Sequence, residues 1–494
     1  LSREDPIPET KEQTMRSARF RPKNTARRGA VAVMVAVCLT ILMAVMALAI
    51  DGGNLLDDQR QCQAAADAAA LAAACDLYSN YQANQGKDPS GTAKDAALAI
   101  AKVNGYNNNG ETNKVYVNIP PKYDQTPWSD LAHQPYKGVD SYVEVIVEYH
   151  QKRGFSGLLG SSDLIVRARA VSRGAWVTPK IGILVLNYSG KATLNDQGNG
   201  AFSDVGVGPV IVNSNDPQAA YIGGGGVIKA PEYDITGSDA GKLTQFENTS
   251  GVYDPSIINT GVHPTPDPLG YLPAPGGTGA PAIPPAANVP QKGSNLSAMA
   301  VNYLDNLQVP PKLYNNYYVL SPGSYGGPSQ PKLPNFTNGD LVVFKQASAG
   351  NNGIYYLTSG GFNANGADIR MDSTTSGGMM FYNAGTGSSD GINIAGTSSS
   401  SISLGPLTSG IYAGLIYFQG RNATEDVAIS GNGNFAIDGT IYAPAANLKV
   451  AGNGSVSNIG SQYVSLDLTI TGGGNVQLST GSGRAKTRVL CLVE

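Results

Sequence analysis

Residues 29–50, GAVAVMVAVCLTILMAVMALAI, form an unbroken run without a charge or a proline. As a helix, twenty-two residues at 1.5 Å each reach roughly 33 Å, enough to cross a hydrocarbon core of about 30 Å. Arg16, Arg19, Arg21, Lys23, Arg27 and Arg28 precede the run with no acid among them after Met15, a plausible start residue. Asp51, Asp57 and Asp58 follow it against one cation, Arg60. The positive-inside rule therefore predicts a cytoplasmic N-terminus, one pass through a membrane, and the bulk of the chain outside. A cleaved signal peptide is the competing reading, with Ala47-Leu48-Ala49 as its cleavage-like site. The run is longer than a usual signal core, and helix-forming sequence follows at once, so a retained anchor is expected.

The rest of the chain bounds its function mostly by exclusion. A length of 494 residues predicts several domains. Charged residues make up only 14%, and Gly 61 and Pro 30 are high counts, but 25 Tyr argue against disorder throughout. A net charge of −3 gives no reason to expect nucleic acid. His133, His150 and His263 lie far apart, so no metal or cofactor is expected. Cys62 and Cys75 cannot bridge within one straight helix, where thirteen residues put them about 20 Å apart. A break between them, or a return of Cys491 to the base, would permit a disulfide.

Residues 1–28 read as a basic cytoplasmic arm and 29–50 as the transmembrane helix. Ala32, Ala36, Thr40 and Ala44 recur every four residues and form a small-residue ridge suited to helix packing. Nine Ala between 64 and 74, with Asp67 and Leu71 among them, predict a second helix standing on the membrane as a stalk. Ala65, Asp67, Ala69 and Leu71 are its packing candidates. Gly52-Gly53 is a candidate kink between span and stalk. A short helix is expected at about 92–104. Residues 114–119, 141–150 and 163–171 alternate apolar and polar, as half-buried strands do, and the last two flank a loop with an apolar tip, Phe155–Leu159.

This region, 28–173, resembles the N-terminal part of TadG-like Flp pilus-assembly proteins, the Tad domain of the TadE/TadG family. The likeness rests on Arg28-Gly29-Ala30-Val31-Ala32, on Ala49-Ile50-Asp51-Gly52-Gly53, on the block Gln63-Ala64-Ala65-Ala66-Asp67-Ala68-Ala69-Ala70-Leu71-Ala72, and on Ala168-Arg169-Ala170-Val171. It implies a non-enzymatic envelope protein that anchors or scaffolds tight-adherence pili. Its implied partners are inner-membrane lipid, other pilus-assembly or envelope proteins, and further copies of itself. Type IV pilins place a Glu five residues after their processing Gly; counted from Gly29 that position is Met34, which favours a permanent anchor.

The expected fold is α+β and mainly β. A transmembrane helix, an Ala-rich helix and a small antiparallel sheet fill 51–175 and what precedes it, and an irregular parallel β-helix, or solenoid, follows. Short strands between Gly/Asn turns place solenoid segments at 176–261 and 294–494, joined by a Pro-rich stretch at 262–293 that is a linker or a long surface crossing. Some TadG-like proteins carry a von Willebrand A domain. The corresponding residues here, Asn187-Tyr188-Ser189-Gly190-Lys191, lack its first carboxylate. Val489–Val493 is expected to cap the last coil, and Arg484, Lys486 and Arg488 read as solvated.

Two other classes stay open. β-Helices host polysaccharide-active enzymes, and Asp368 and Asp372 flanking Arg370 are the candidate carboxylate pair. Glu425-Asp426 beside Arg421 is a weaker one and reads as a polar turn. A surface adhesin or carbohydrate-binding solenoid is the alternative, with Tyr314, Tyr317 and Tyr318 as sugar- or protein-contacting candidates. Asn432, Asn434 and Asp438 could meet calcium, but the nonapeptide of calcium ladders is absent.

Overall fold

A computed structural model describes residues 25–158, 162–203, 208–241, 243–294, 314–452, 457–481 and 483–494. The basic arm before residue 25 lies outside them, as does Leu159 of the loop tip. The chain divides into two units. One takes in the chain up to Ala74, Ser90–Arg173 and Cys491–Glu494; the other takes in Cys75–Pro89 and Gly174–Leu490.

A single helix, Thr25–Ser79, runs through both the apolar run and the Ala-rich block. The helix runs unbroken through Gly52-Gly53, the candidate kink. Leu48, Ala49 and Ile50 precede the pair and Leu55 and Leu56 follow it, and two glycines at about 1 kcal/mol each do not interrupt a helix continued on both sides. Cys62 and Cys75 therefore lie on one helix with no break between them, and all four cysteines are free. The second half of the helix is not a bare stalk. Ala65, Ala66, Ala69, Ala70 and Ala73 are buried, a stripe with period four. Helix Thr92–Val103 carries a matching stripe at Ala93, Ala97 and Ala101.

The sheet of this unit explains the alanines. Asn113–Asn118 pairs antiparallel with Tyr142–Gln151, which pairs antiparallel with Leu164–Val177. Along the third strand Ala168, Ala170 and Ser172 share one face, and Arg167, Arg169 and Val171 share the other. Ser172 Oγ donates to Ala70 O at 2.6 Å, and Gln63 Nε2 donates to Arg169 O at 3.0 Å. A hydroxyl reaches a helix carbonyl only where both surfaces are nearly bare of side chain, so alanine faces alanine. Thr487–Leu492 is the fourth strand of this sheet, in the order first, second, third, last. The expectation that the tail caps a coil is thus corrected. Its alternating Val489, Cys491 and Val493 extend an antiparallel sheet, and Val493 N donates to Val171 O at 2.8 Å.

The second unit is built on two large parallel sheets. Spacing between paired strands is irregular: Asn316 pairs with Asp340, Leu341 with Asp368, Ile369 with Ile402 and Ala436 with Asn458. Inward positions carry aliphatic and aromatic residues, including Phe344, Phe362 and Phe381, whose ring centroids lie 5.1–5.7 Å apart.

The strand order is not the chain order. In the 11-stranded sheet the neighbours run Phe246–Glu247, Val227–Lys229, Ala201–Ser203, then Val476–Gln477, Ser457–Ile459, Asn434–Ile437 and onward to Asn316–Leu320. In the other sheet Gln462–Thr471 pairs with both Ile183–Val185 and Leu194–Asp196. Strands from either side of the Pro-rich stretch therefore share the same two sheets, and the chain enters and leaves at one internal seam.

That order makes the Pro-rich stretch a crossing. It must travel from the strand Ile258–Thr260 at one end to Gln291–Ser294 at the other. Its contacts progress in step. Thr265 exchanges backbone–side-chain bonds with Asn213, Asp267 accepts from Tyr442, Pro273 O accepts from Tyr412, and Pro284 O accepts from Ser324. Strands 210–212, 183–185, 463–465, 440–443, 415–419, 380–383, 354–357 and 323–325 lie between these points. That is seven steps, roughly 34 Å at about 4.8 Å each. The twenty residues from Thr265 to Pro284 can span that with slack. Leu269 and Leu272 are buried against Phe418 and Tyr442, and Arg421 donates to the carbonyls of Leu269, Gly270 and Leu272.

Candidate functional site

The strongest functional feature is the first half of the long helix. Val31 to Ile50 project outward with scarcely any cover from the rest of the protein. Among the described residues this is the one helix long and apolar enough to cross a membrane. The hydrophobic side chains elsewhere in the same unit are mostly buried, so the exposure marks a surface meant for another apolar medium. Ala32, Ala36, Thr40 and Ala44 all lie on this exposed stretch, on one helical face. Thr40 Oγ1 donates to Ala36 O at 2.8 Å, which satisfies the hydroxyl within its own helix.

The helix is seated by the sheet beneath its second half. Ala65 and Ala69 are buried there; Asp67 and Leu71 are half-buried, and Asp67 accepts from Gln63 Nε2 at 2.7 Å. The opposite face of the sheet carries paired charges. Glu144 is fully buried and accepts from Arg169 Nε at 2.7 Å, Asn118 Nδ2 at 2.8 Å, and the N–H groups of Lys122 and Tyr123. Burial pushes its carboxyl up, but these hydrogen bonds outweigh burial and hold it below the usual glutamate range. Arg169 also pairs with the Glu494 carboxylate and lies over the Tyr123 ring, 4.1 Å from its centroid. Glu148 is likewise held low: burial opposes, and His150 and Arg167 prevail. This network ties the residues around Glu494 to the strand that supports the helix. Sequence reading saw the alternation of these strands but not which arginine meets which glutamate, because the strand register fixes that.

The candidate carboxylate pair has another occupation. Asp368, Arg370 and Asp372 are buried. Asp368 accepts from Tyr314 Oη at 2.5 Å and Ser401 N at 2.9 Å; Asp372 accepts from Gln346 N at 3.2 Å and Thr374 Oγ1 at 2.6 Å. All four oxygens hold turns and neighbouring strands. Tyr314 is thereby engaged in this packing, and Tyr318 packs edge-on to Phe336. Glu425-Asp426 does not pair with Arg421; Asp426 pairs with Lys449. Asn187 Nδ2 donates to Asp467 at 2.9 Å. Among the described residues no group of three His, Cys, Asp or Glu is placed to hold a metal ion. Asp438 accepts from Ser461 Oγ.

Two arginines carry structural roles that the sequence reading did not assign to them. Arg421 gathers the crossing strap, as described above. Arg488, expected to be solvated, lies over the rings of Tyr271, Tyr78 and Trp176, 4.3, 5.0 and 5.0 Å from their centroids. Isolated arginines near aromatics in a long chain give no local signal; only the topology assembles the cage.

Residues 29–76 match the family model described as "Putative Flp pilus-assembly TadE/G-like". The match covers the exposed apolar half of the helix and most of its Ala-rich half, including the blocks at 29–32, 49–53 and 63–72, while Ala168-Arg169-Ala170-Val171 lies outside it. No curated protein matches the chain. The crystal structure of the competence-associated pilin ComZ from Thermus thermophilus aligns over 78% of this chain and 87% of its own, at 11% identity and a TM-score of 0.26. An alignment that loose carries no argument. The long apolar helix and the matched family segment together point to a membrane-anchored, pilus-related envelope protein.

Proposed function

We propose that this protein is a non-enzymatic, single-pass anchor or scaffold of a Flp-type pilus system. Residues 29–50 lie in the inner membrane, the basic arm is cytoplasmic, and both units are outside. The parallel strands wind as one irregular β-helix, with the chain entering and leaving it at an internal seam. Its partners are lipid, other pilus-assembly or envelope proteins, and other copies of the chain through the ridge Ala32, Ala36, Thr40 and Ala44. The observation that carries this reading is the exposure of the whole Val31–Ile50 stretch on a helix whose remainder is firmly seated. The occupied oxygens of Asp368 and Asp372 support a structural rather than catalytic role for that pair.

The test is genetic and biochemical together. Cells lacking the protein should lose surface pili, and the full chain should restore them from the membrane fraction. A chain without residues 29–50 should be soluble and fail to restore them. Restoration by that soluble chain, or recovery of the wild-type protein in the soluble fraction with a new N-terminus near residue 50, would overturn the anchor. Polysaccharide turnover lost on Asp368→Ala would overturn the non-enzymatic role.

A further inference from the structure

The hairpin between Tyr142–Gln151 and Leu164–Val177 folds back to the end of the apolar run. Phe155 N–H donates to Asp51 Oδ1 at 3.2 Å, and Asp51 is itself buried. Gly154 makes the approach possible: a Cβ there would stand 2.8 Å from the same oxygen and push the carboxylate off the Phe155 amide. The backbone of the tip is thus pinned level with residue 51, one residue past the uncharged stretch. From that fixed backbone the Phe155 ring projects outward, 61% exposed. Ile165, on the returning strand, and Leu56, five residues along the helix, are also exposed. Two cations precede the ring. Lys152 is exposed, and Arg153 is half-exposed with its Nε donating to Ser162 O at 2.7 Å. The nearest acids along the helix, Asp57 and Asp58, lie a turn or more beyond Asp51, and Gln61 Nε2 donates to Asp57.

An aromatic ring beside long basic side chains, held at the height where a helix leaves hydrocarbon, has the chemistry of an interfacial anchor. The ring enters the boundary between acyl chains and headgroups, and the cations reach the phosphates. We propose that the Gly154–Phe155 tip is a second membrane contact, seated in the same bilayer that residues 29–50 cross. A lone span is free to tilt and slide; a second contact rigidly joined to it through Asp51 sets its depth and tilt. The inference rests on the reading of 29–50 as a membrane span.

Photocrosslinking in the full chain separates the two. Phe155, Leu42 and Val103 are each replaced with p-benzoylphenylalanine, and the protein is reconstituted in vesicles of phosphatidylethanolamine and phosphatidylglycerol. Leu42 lies mid-run. Val103 is 82% exposed, and its helix end is held level with Cys62 by the neighbouring Tyr106, whose hydroxyl is 3.3 Å from the thiol. That is eleven residues beyond Asp51, roughly 17 Å along the helix. Irradiation should give lipid adducts at 42 and 155, with the yield at 155 at least tenfold above that at 103. Adducts at 42 alone would overturn the second contact and leave the span standing. Adducts at neither 42 nor 155 would remove the span reading and this inference with it. Equal yields at 155 and 103 would also overturn it, since they would mean unspecific adsorption.

Discussion

On the charged face of the sheet in the helix-on-sheet unit, two deeply buried carboxylates meet cations: Glu144 pairs with Arg169 and Glu148 with Arg167. In the parallel-strand unit Asp196 is 1% exposed and sits in a column between Ile470 and Ile222. Its Oδ1 accepts from Gly198 N–H at 2.9 Å, and its Oδ2 has no partner. The difference follows from pairing. An antiparallel pair alternates two sequences across one face, so a Glu strand and an Arg strand can interleave. Around Asp196 parallel stacking repeats an apolar inward environment, and the carboxylate finds only Ile470, Ile222 and the backbone of its own corner, whereas Asp368 and Asp372 elsewhere in the unit meet Tyr314 and Thr374. One unit is therefore held by ionic pairs over an alanine interface, the other by stacked apolar columns with an occasional unpaired acid.

The sharpest way to break that contrast is Arg169→Ala. It leaves Glu144 buried without its cation and releases Glu494. Removing one partner of a buried pair costs about 3–5 kcal/mol. Chemical denaturation followed by fluorescence should show the helix-on-sheet transition falling by that order, with the parallel-strand transition unmoved. Equal loss in both transitions would mean that the two units do not unfold separately.

The contrast also predicts opposite responses to pH. Glu144 and Glu148 have lowered values, so their contribution is present above the ordinary glutamate range and is lost as pH falls through their lowered folded values. Asp196 runs the other way. Burial pushes its carboxyl from 3.8 up to about 6, against one opposing hydrogen bond from Gly198 N–H. The folded state then holds a proton that the unfolded state has released. Stability is fully present below about pH 3.8 and declines as pH rises through about 6, by up to about 3 kcal/mol. Asp467, raised chiefly by burial, acts in the same sense. Melting of the parallel-strand unit between pH 4 and 7 should show the decline, and Asp196→Asn should flatten it. A slope unchanged in that variant would assign the effect elsewhere.

These features differ in how far sequence discloses them. The apolar run, the Ala-rich block and the three alternating strands are local patterns with periods of 3.6 and 2, and each stands where its period put it. The fate of the Ala stripe was not legible, because a helix that packs on a sheet and a free stalk share the same alanines. The tail shows the same limit. Val489, Cys491 and Val493 alternate as an edge strand would, but nothing local says which sheet they extend. Asp368, Arg370 and Asp372 do cluster as their spacing suggests, yet burial and their partners come from Tyr314, Gln346 and Ser401, far along the chain. The jump from Ala201–Ser203 to Val476–Gln477 has no sequence signature at all.

The strap offers a smaller test within the parallel-strand unit. Arg421→Ala removes the donor shared by three strap carbonyls and leaves its guanidinium's place over Phe418 and Tyr442 empty. A loss of about 1–3 kcal/mol is expected, since charged donors count for that much when buried carbonyls lose them. The more specific readout is proteolysis. Cleavage within 265–284 should accelerate while the strands stay protected. Unchanged cleavage would show that Leu269 and Leu272 hold the strap by apolar burial alone.

The smallest expected effect concerns the junction at Gly52-Gly53. Neither glycine has a positive φ, and a Cβ on either would meet nothing within 4 Å. Geometry therefore gives no reason for glycine, and Gly52→Ala should stabilise the helix by about 0.5–1 kcal/mol through lower unfolded-state entropy. The same holds for Gly53→Ala. If the helix works as one straight rod, both variants should raise thermal stability and leave piliation intact. A gain in stability with a loss of piliation would instead make this glycine pair a working hinge, and the rod and its seat would then be two moving parts rather than one.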